Sequence, residues 1–180
     1  MKDILGYTFL ILTFFSCADK KSKQEEYATK TSFQTEIGIL KFDETITGFK
    51  FATKFDNRFV YSPKGKDDLS NEKRTSGYFI EALPDMNYGE SKTFLESYNE
   101  IQKNQDDAEN VGNFKMSVYD TKYGKAIMTT YNITCKSKEK ALAVRGIVSN
   151  GKNAIFFVGE DYQDGVYSDK FKETFDSIEE

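Results

Sequence analysis

The chain has 180 residues, 25 Lys and Arg against 29 Asp and Glu, a net charge of −4, and an aromatic share of 15%. It contains no histidine, which excludes Ser-His-Asp and Cys-His nucleophiles, whose base is missing, and zinc sites built on imidazole. The acidic balance, with basic residues scattered through it, argues against a nucleic-acid surface, which needs a concentrated cationic face.

The chain begins Met-Lys-Asp and continues with an apolar run from Ile4 to Phe15, then Ser16-Cys17. At about 1.5 Å of rise per residue the run covers roughly 18 Å as a helix, short of the ~30 Å hydrocarbon core of a bilayer. A cleaved signal over residues 1–16 is therefore expected rather than a membrane span. Phe14-Phe15-Ser16-Cys17 resembles a bacterial lipobox, with Phe where Leu is commonest. The resemblance implies that Cys17 carries a thioether-linked diacylglycerol and an N-acyl chain. Two or three chains anchor stably where one holds only marginally. The chain is then expected at the bacterial cell envelope, lipid-anchored to the inner or outer membrane. If Cys17 is acylated, Cys135 is left without an intramolecular partner, and stability must come from an apolar core. Sixteen Phe and eleven Tyr can supply one.

Residues 17–32 hold the lipidated cysteine and then a polar, charged stretch too poor in apolar side chains to order itself, which reads as a flexible tether. A single α+β domain is expected over 33–180. Ile37 to Phe42 suggests a first strand or strand pair. Phe49, Phe51, Thr53 and Phe55 alternate with Lys50, Ala52 and Lys54, the period of a half-buried strand. Phe59-Val60-Tyr61 reads as a short strand, Lys64 to Ser76 as a charged loop, and Gly77 to Leu83 as another strand stopped by Pro84.

Ser91 is placed to cap a helix whose Phe94, Tyr98 and Ile101 share one face. Asp106 to Gly112 reads as a turn. Strands follow over Phe114 to Val118 and Lys125 to Cys135, then Ala141 to Val148 and Ala154 to Val158. The last pair flanks Ser149-Asn150-Gly151-Lys152, where Asn-Gly favours a type I′ hairpin turn. Ser168 is placed to cap a closing helix with Phe171, Phe175 and Ile178 on one face. Strands with one apolar face and helices with one apolar stripe pack economically as an antiparallel sheet with helices against it.

Three segments of the C-terminal half carry a resemblance to the PsbP-like superfamily, which includes DcrB-like envelope lipoproteins. They are Tyr131-Asn132-Ile133-Thr134, the hairpin through Ala154-Ile155-Phe156-Phe157-Val158-Gly159, and Phe171-Lys172-Glu173-Thr174-Phe175-Asp176-Ser177-Ile178. The resemblance implies an α/β/α sandwich around an antiparallel sheet and transfers no catalytic residue. Members with a known role act as binding or assembly factors.

The candidate chemistry is sparse. Cys135 ends an apolar stripe and reads as a small core residue. Ser137 and Lys140 form an S-x-x-K string, used by penicillin-binding enzymes at a helix start but here expected in a turn. Asp67-Asp68, Asp106-Asp107 and Asp161/Asp164 are paired acids without the facing geometry of a glycosidase or the spacing of an EF-hand. Asp176-Ser177-Ile178 resembles a short O-glycosylation acceptor, and Asn132-Ile133-Thr134 is an N-glycosylation sequon. Tyr119, Tyr123, Tyr162 and Tyr167 fall near strand ends, where they line a surface or cap the core.

No catalytic, cofactor-binding or metal-binding residue and no cofactor is therefore expected. The favoured reading is a membrane-anchored, non-catalytic binding or assembly factor with a protein partner and no nucleic acid. The alternatives are an envelope hydrolase using carboxylates or the Ser-Lys pair, and a carrier of an apolar ligand, which would need a cavity of at least ~300 Å³ between sheet and helix.

Overall fold

A computed structural model describes residues 32–70, 74–104 and 108–179. Nine strands and two helices occur among them: β1 (Ser32–Thr35), β2 (Gly38–Lys41), β3 (Lys50–Phe55), β4 (Arg58–Ser62), β5 (Gly77–Leu83), α1 (Tyr88–Lys103), β6 (Ala108–Asp120), β7 (Lys125–Cys135), β8 (Lys140–Ser149), β9 (Ala154–Asp161) and α2 (Ser168–Asp176). β3 to β9 form one antiparallel sheet in the order β3-β4-β5-β9-β8-β7-β6, while β1 and β2 pair as a separate hairpin. The chain is an α+β protein built as expected, an antiparallel sheet flanked by helices.

Alternation on β9 shows how the layers arise. Ile155 and Phe157 join the core under α2, while Phe156 and Val158 join the core under α1. The central strands are apolar on both faces because both faces are covered. On the α2 side Phe171, Phe175 and Ile178 are fully buried, as the stripe predicts. Two glycines beneath them make the contact possible. A Cβ on Gly146 would lie 2.8 Å from the Phe175 ring, and one on Gly159 would lie 2.6 Å from the Phe171 ring. The β1–β2 hairpin brings Leu40 and Phe42 into the same core and is tied to the end of α2 by paired backbone bonds between Lys41 and Glu179, each 2.9 Å.

The structure corrects five local expectations. The cap of α1 is Asn87, four residues before Ser91. Its side chain accepts from the backbone of Gly89 and Glu90, and Glu90 returns the bond to the Asn87 N–H, a capping box. Ser91 lies inside the helix and donates to the Asn87 carbonyl at 2.8 Å. The N-cap of α2 is Tyr167, without a side-chain bond. Ser168 instead donates to the Gly165 carbonyl.

The β8–β9 connection is a four-residue loop, not a two-residue I′ turn. Only Gly151 takes a positive φ there, while Asn150 Oδ1 accepts from the backbone of Lys152 and Asn153. The Lys64–Ser76 loop contains a 3-10 turn over Gly65–Ser70. Finally, β6 starts at Ala108, inside the expected turn, and absorbs the irregular residues as two bulges, at 108/110 and 112/115.

Candidate binding face

Strand register arranges the α1 side of the sheet as rows. One row runs Val60, Phe79, Val158, Arg145, Thr129, Met116 across β4, β5, β9, β8, β7 and β6. A neighbouring row runs Arg58, Glu81, Phe156, Ile147, Ile127, Val118. On the other side of Arg145 lie Glu160, Ala143 and Tyr131. Helix α1 covers the middle columns with Leu95, Tyr98, Asn99 and Gln102, all buried, so its inner face is more polar than the expected stripe of Phe94, Tyr98 and Ile101.

Arg145 lies at the centre of this face and is wholly buried. Nη2 donates to Glu160 Oε1 at 2.6 Å and Nη1 to the Gly159 carbonyl at 2.6 Å. The guanidinium sits between the rings of Tyr98 and Tyr131, 5.9 and 5.7 Å from their centroids. Burial alone would lower its pKa, but Tyr131, Glu160 and Tyr98 outweigh burial and hold it charged. Burial pushes the Tyr98 and Tyr131 phenols up, against the opposing pull of Arg145.

From Glu160 a polar chain continues outward. Tyr162 donates to Glu160 Oε2 at 2.9 Å, Arg74 donates to the Tyr162 hydroxyl at 3.4 Å, and Arg74 donates to Cys135 Sγ at 3.0 Å. Sequence reasoning missed Arg145. Its signal is a lone cation inside the apolar run Ala141 to Val148, a place where a charge survives only if paired.

The helix leaves both flanks of the face open. On the β6 side Phe114, Met116 and Val118 are 39%, 47% and 52% exposed. Phe114 and Met116 border a groove of about 590 Å³ against α1, with Asn99 and Lys103 on its other wall. Phe114 stacks on Tyr131 with ring centroids 5.3 Å apart, and Lys103 Nζ lies 4.7 Å from its centroid. β6 is an edge strand, and after its bulges it runs regularly from Lys115 to Asp120. The opposite edge, β3, is bulged at Phe51/Thr53 and abuts the 3-10 turn, where a Cβ on Gly65 would lie 2.9 Å from the Phe51 carbonyl oxygen. On the β4–β5 side a smaller cleft of about 110 Å³ opens between Val60, Phe79, Val158 and Tyr98 on the sheet and helix, and Leu69 and Thr75 on the connecting segment.

The residues singled out from sequence do not converge here. Cys17 and the Asp106-Asp107 pair lie outside the described residues. Ser137 is exposed on the β7–β8 turn and donates to Glu139, not to Lys140. Asp68 is buried and caps the Lys64 N–H, while Asp67 is exposed. Asp161 is buried and accepts from Ser76, Gln163 and Tyr167, while Asp164 is exposed.

Cys135 is buried at the end of β7. Ser177 is half-buried and bonds the Thr174 carbonyl and the Asp43 N–H, and Ile178 is fully buried, so the hydroxyl of the O-glycosylation triplet is already engaged within the fold. Asn132 of the sequon is exposed on β7. Of the tyrosines, Tyr119 donates to Asp176 at 2.6 Å, Tyr123 is buried under α2, and Tyr167 packs on Phe49 at 4.6 Å. Among the described residues no cluster of three metal-ligating side chains occurs, and no helix is long and apolar enough to cross a membrane.

The chain matches no protein-family model, and no curated protein matches it. Among solved structures it resembles a crystallised protein of Bacteroides thetaiotaomicron, with a TM-score of 0.51 at 9% identity over 84% of this chain. The chain spans about half of that protein, 48% of its length. A second similar structure is the cyanobacterial PsbP protein, CyanoP, of Synechocystis, with a TM-score of 0.43 at 12% identity over 88% of this chain and 98% of that one.

Proposed function

We propose that this protein is a non-catalytic binding or assembly factor of the bacterial cell envelope, anchored by lipid on Cys17, whose protein partner adds an extended segment to β6. The reading keeps the chain with the PsbP-like, DcrB-like envelope lipoproteins, on the sequence pattern of its hairpin and closing helix. One observation carries the docking mode. The unbulged run Lys115–Asp120 is a sheet edge bordered by the exposed apolar side chains of Phe114, Met116 and Val118. Natural proteins blunt such edges, and here only the first half of β6 is bulged. A partner strand of six residues would span about 20 Å and place alternate apolar side chains on that stripe, the arrangement of strand addition.

The alternatives have less support. The Ser-Lys pair and the described acids are engaged separately in turns and caps, as above. The cleft of about 110 Å³ is well below the ~300 Å³ that a carrier of a lipid-sized ligand needs. The groove of about 590 Å³ beside β6 is large enough, but its α1 wall of Glu96, Ser97, Asn99, Glu100 and Lys103 is mostly polar and suits an apolar ligand poorly.

Two measurements test the reading. Mass spectrometry of the N-terminus from producing cells, with Cys17→Ala as control, is expected to show a mature chain starting at an acylated Cys17. An intact Met1 without lipid mass would overturn the anchor. In the β6–β7 register, counted from the Thr121–Gly124 bond, Ser117 is bonded to β7 and the Val118 N–H points outward. Replacing Val118 by Pro therefore removes an edge donor and is expected to abolish partner crosslinking while the thermal unfolding midpoint stays within a few degrees. Undiminished crosslinking would overturn strand addition.

A further inference from the structure

We propose that the cleft on the β4–β5 side of α1 is a binding site for a single phenol ring. This does not depend on docking along β6. The first observation is size and shape. The cleft holds about 110 Å³, a little less than the ~150 Å³ engineered cavity that accepts benzene, and it is open at its mouth. That suits one six-membered ring held partly within it. The second is its lining. Val60, Phe79 and Val158 form three consecutive columns of one register row, giving a flat apolar floor. Leu69 and Tyr98 form walls.

The third observation concerns polarity. Two lining residues, Thr75 and Tyr98, carry buried hydroxyls with no hydrogen-bond partner, although Tyr98 is only 7% exposed. Buried hydroxyls are normally paired. Each can donate or accept, so a ligand hydroxyl can donate to one and accept from the other. Glu160, which also lines the cleft, already accepts from Arg145 and Tyr162 and excludes an anionic ligand. The class that remains is a neutral ring with one hydroxyl. Its source is either a free phenol or the tyrosine side chain of a partner.

The test uses the full-length chain with methyl-labelled valine, titrated with p-cresol, toluene and N-acetyl-tyrosinamide, and read by NMR at the Val60 and Val158 methyls. Saturable shifts confined to those methyls are expected with p-cresol, with toluene roughly tenfold weaker because it leaves the hydroxyls unpaired. Tyr98→Phe is expected to narrow that difference. Val158→Phe, which fills the cleft, is expected to abolish binding, and unchanged Val118 and Val144 methyls show that each variant folds. If Val158→Phe fails to fold, Thr75→Val serves in its place, with p-cresol falling to the affinity of toluene. Tighter binding of N-acetyl-tyrosinamide than of p-cresol assigns the site to a partner's side chain, and the reverse order assigns it to a free phenol. No saturable shift, or equal affinity for p-cresol and toluene, would overturn the proposal and leave the cleft to water.

Discussion

Arg145 and Glu160 are unequal partners, and the inequality predicts how each responds to substitution. The Arg145 side chain is fully buried, whereas that of Glu160 is 32% exposed. Removing the carboxylate strands a guanidinium that cannot reach water, and Glu160→Ala is expected to cost about 3 kcal/mol. Arg145→Met leaves a carboxylate that can turn outward and is expected to cost less, about 1–2 kcal/mol. Urea denaturation of both variants checks the order, and an Arg145→Met protein less stable than Glu160→Ala would contradict it. Little of this pair was legible in the sequence. A cation at one position of an apolar strand shows that something unusual is there, but its counter-charge lies fifteen residues away and is matched only by register. Cys135 was more legible, because a small residue ending an apolar stripe has few other roles. Its neighbour Arg74 was not, since it comes from a charged loop without period.

At the scale of elements, periodicity was readable wherever burial is one-sided and propensity agrees with it. Phe171 and Phe175 of α2, with Ile178 just past its end, are buried in full. What the pattern could not show is that two strands surrender their side chains to receive those rings. Gly146→Ala and Gly159→Ala each force a methyl group against an aromatic ring and are expected to destabilise by about 1–3 kcal/mol. Phe171→Leu is expected to recover part of the Gly159→Ala loss, by thermal unfolding of the double variant. Simple additivity would contradict the contact. Helix starts were less legible, because Asn87 and Ser91 are both acceptable caps and only the return bond from Glu90 separates them. Likewise Asn-Gly is compatible with two loop lengths, and here the Asn150 side chain holds the longer one. β6 is the instructive case. Phe114, Met116 and Val118 alternate as a strand should, yet the face they define is left exposed, since alternation reports which residues share a face and not whether anything covers it.

Across the whole molecule, tyrosines make the fold sensitive to alkali. Burial pushes Tyr61, Tyr78, Tyr98, Tyr119, Tyr131 and Tyr162 above the ordinary phenol value of 10. Between about pH 10 and those raised values the unfolded chain releases protons that the folded chain keeps, so stability is full below pH 10 and falls as pH rises above it. Each group contributes up to about 1.4 kcal/mol per pH unit in that window. Phenolate absorbance is expected to rise in one step together with the loss of far-ultraviolet circular dichroism. Gradual ionisation of these six groups within a folded protein would contradict their burial. The antiparallel sheet between helices was legible as an architecture, because element types and lengths leave few packings. The asymmetry of the α1 face was not, because it depends on one helix being too narrow for the strands beneath it. That asymmetry is the centre of the functional account, and one measurement tests it most directly. A photo-crosslinking residue is placed at Met116, 47% exposed on β6, and separately at Ile39, 56% exposed on the β1–β2 hairpin, in cells that produce the protein. A discrete crosslinked partner from position 116 and none from position 39 is the predicted result. The same products from both positions, or none from 116, would contradict it.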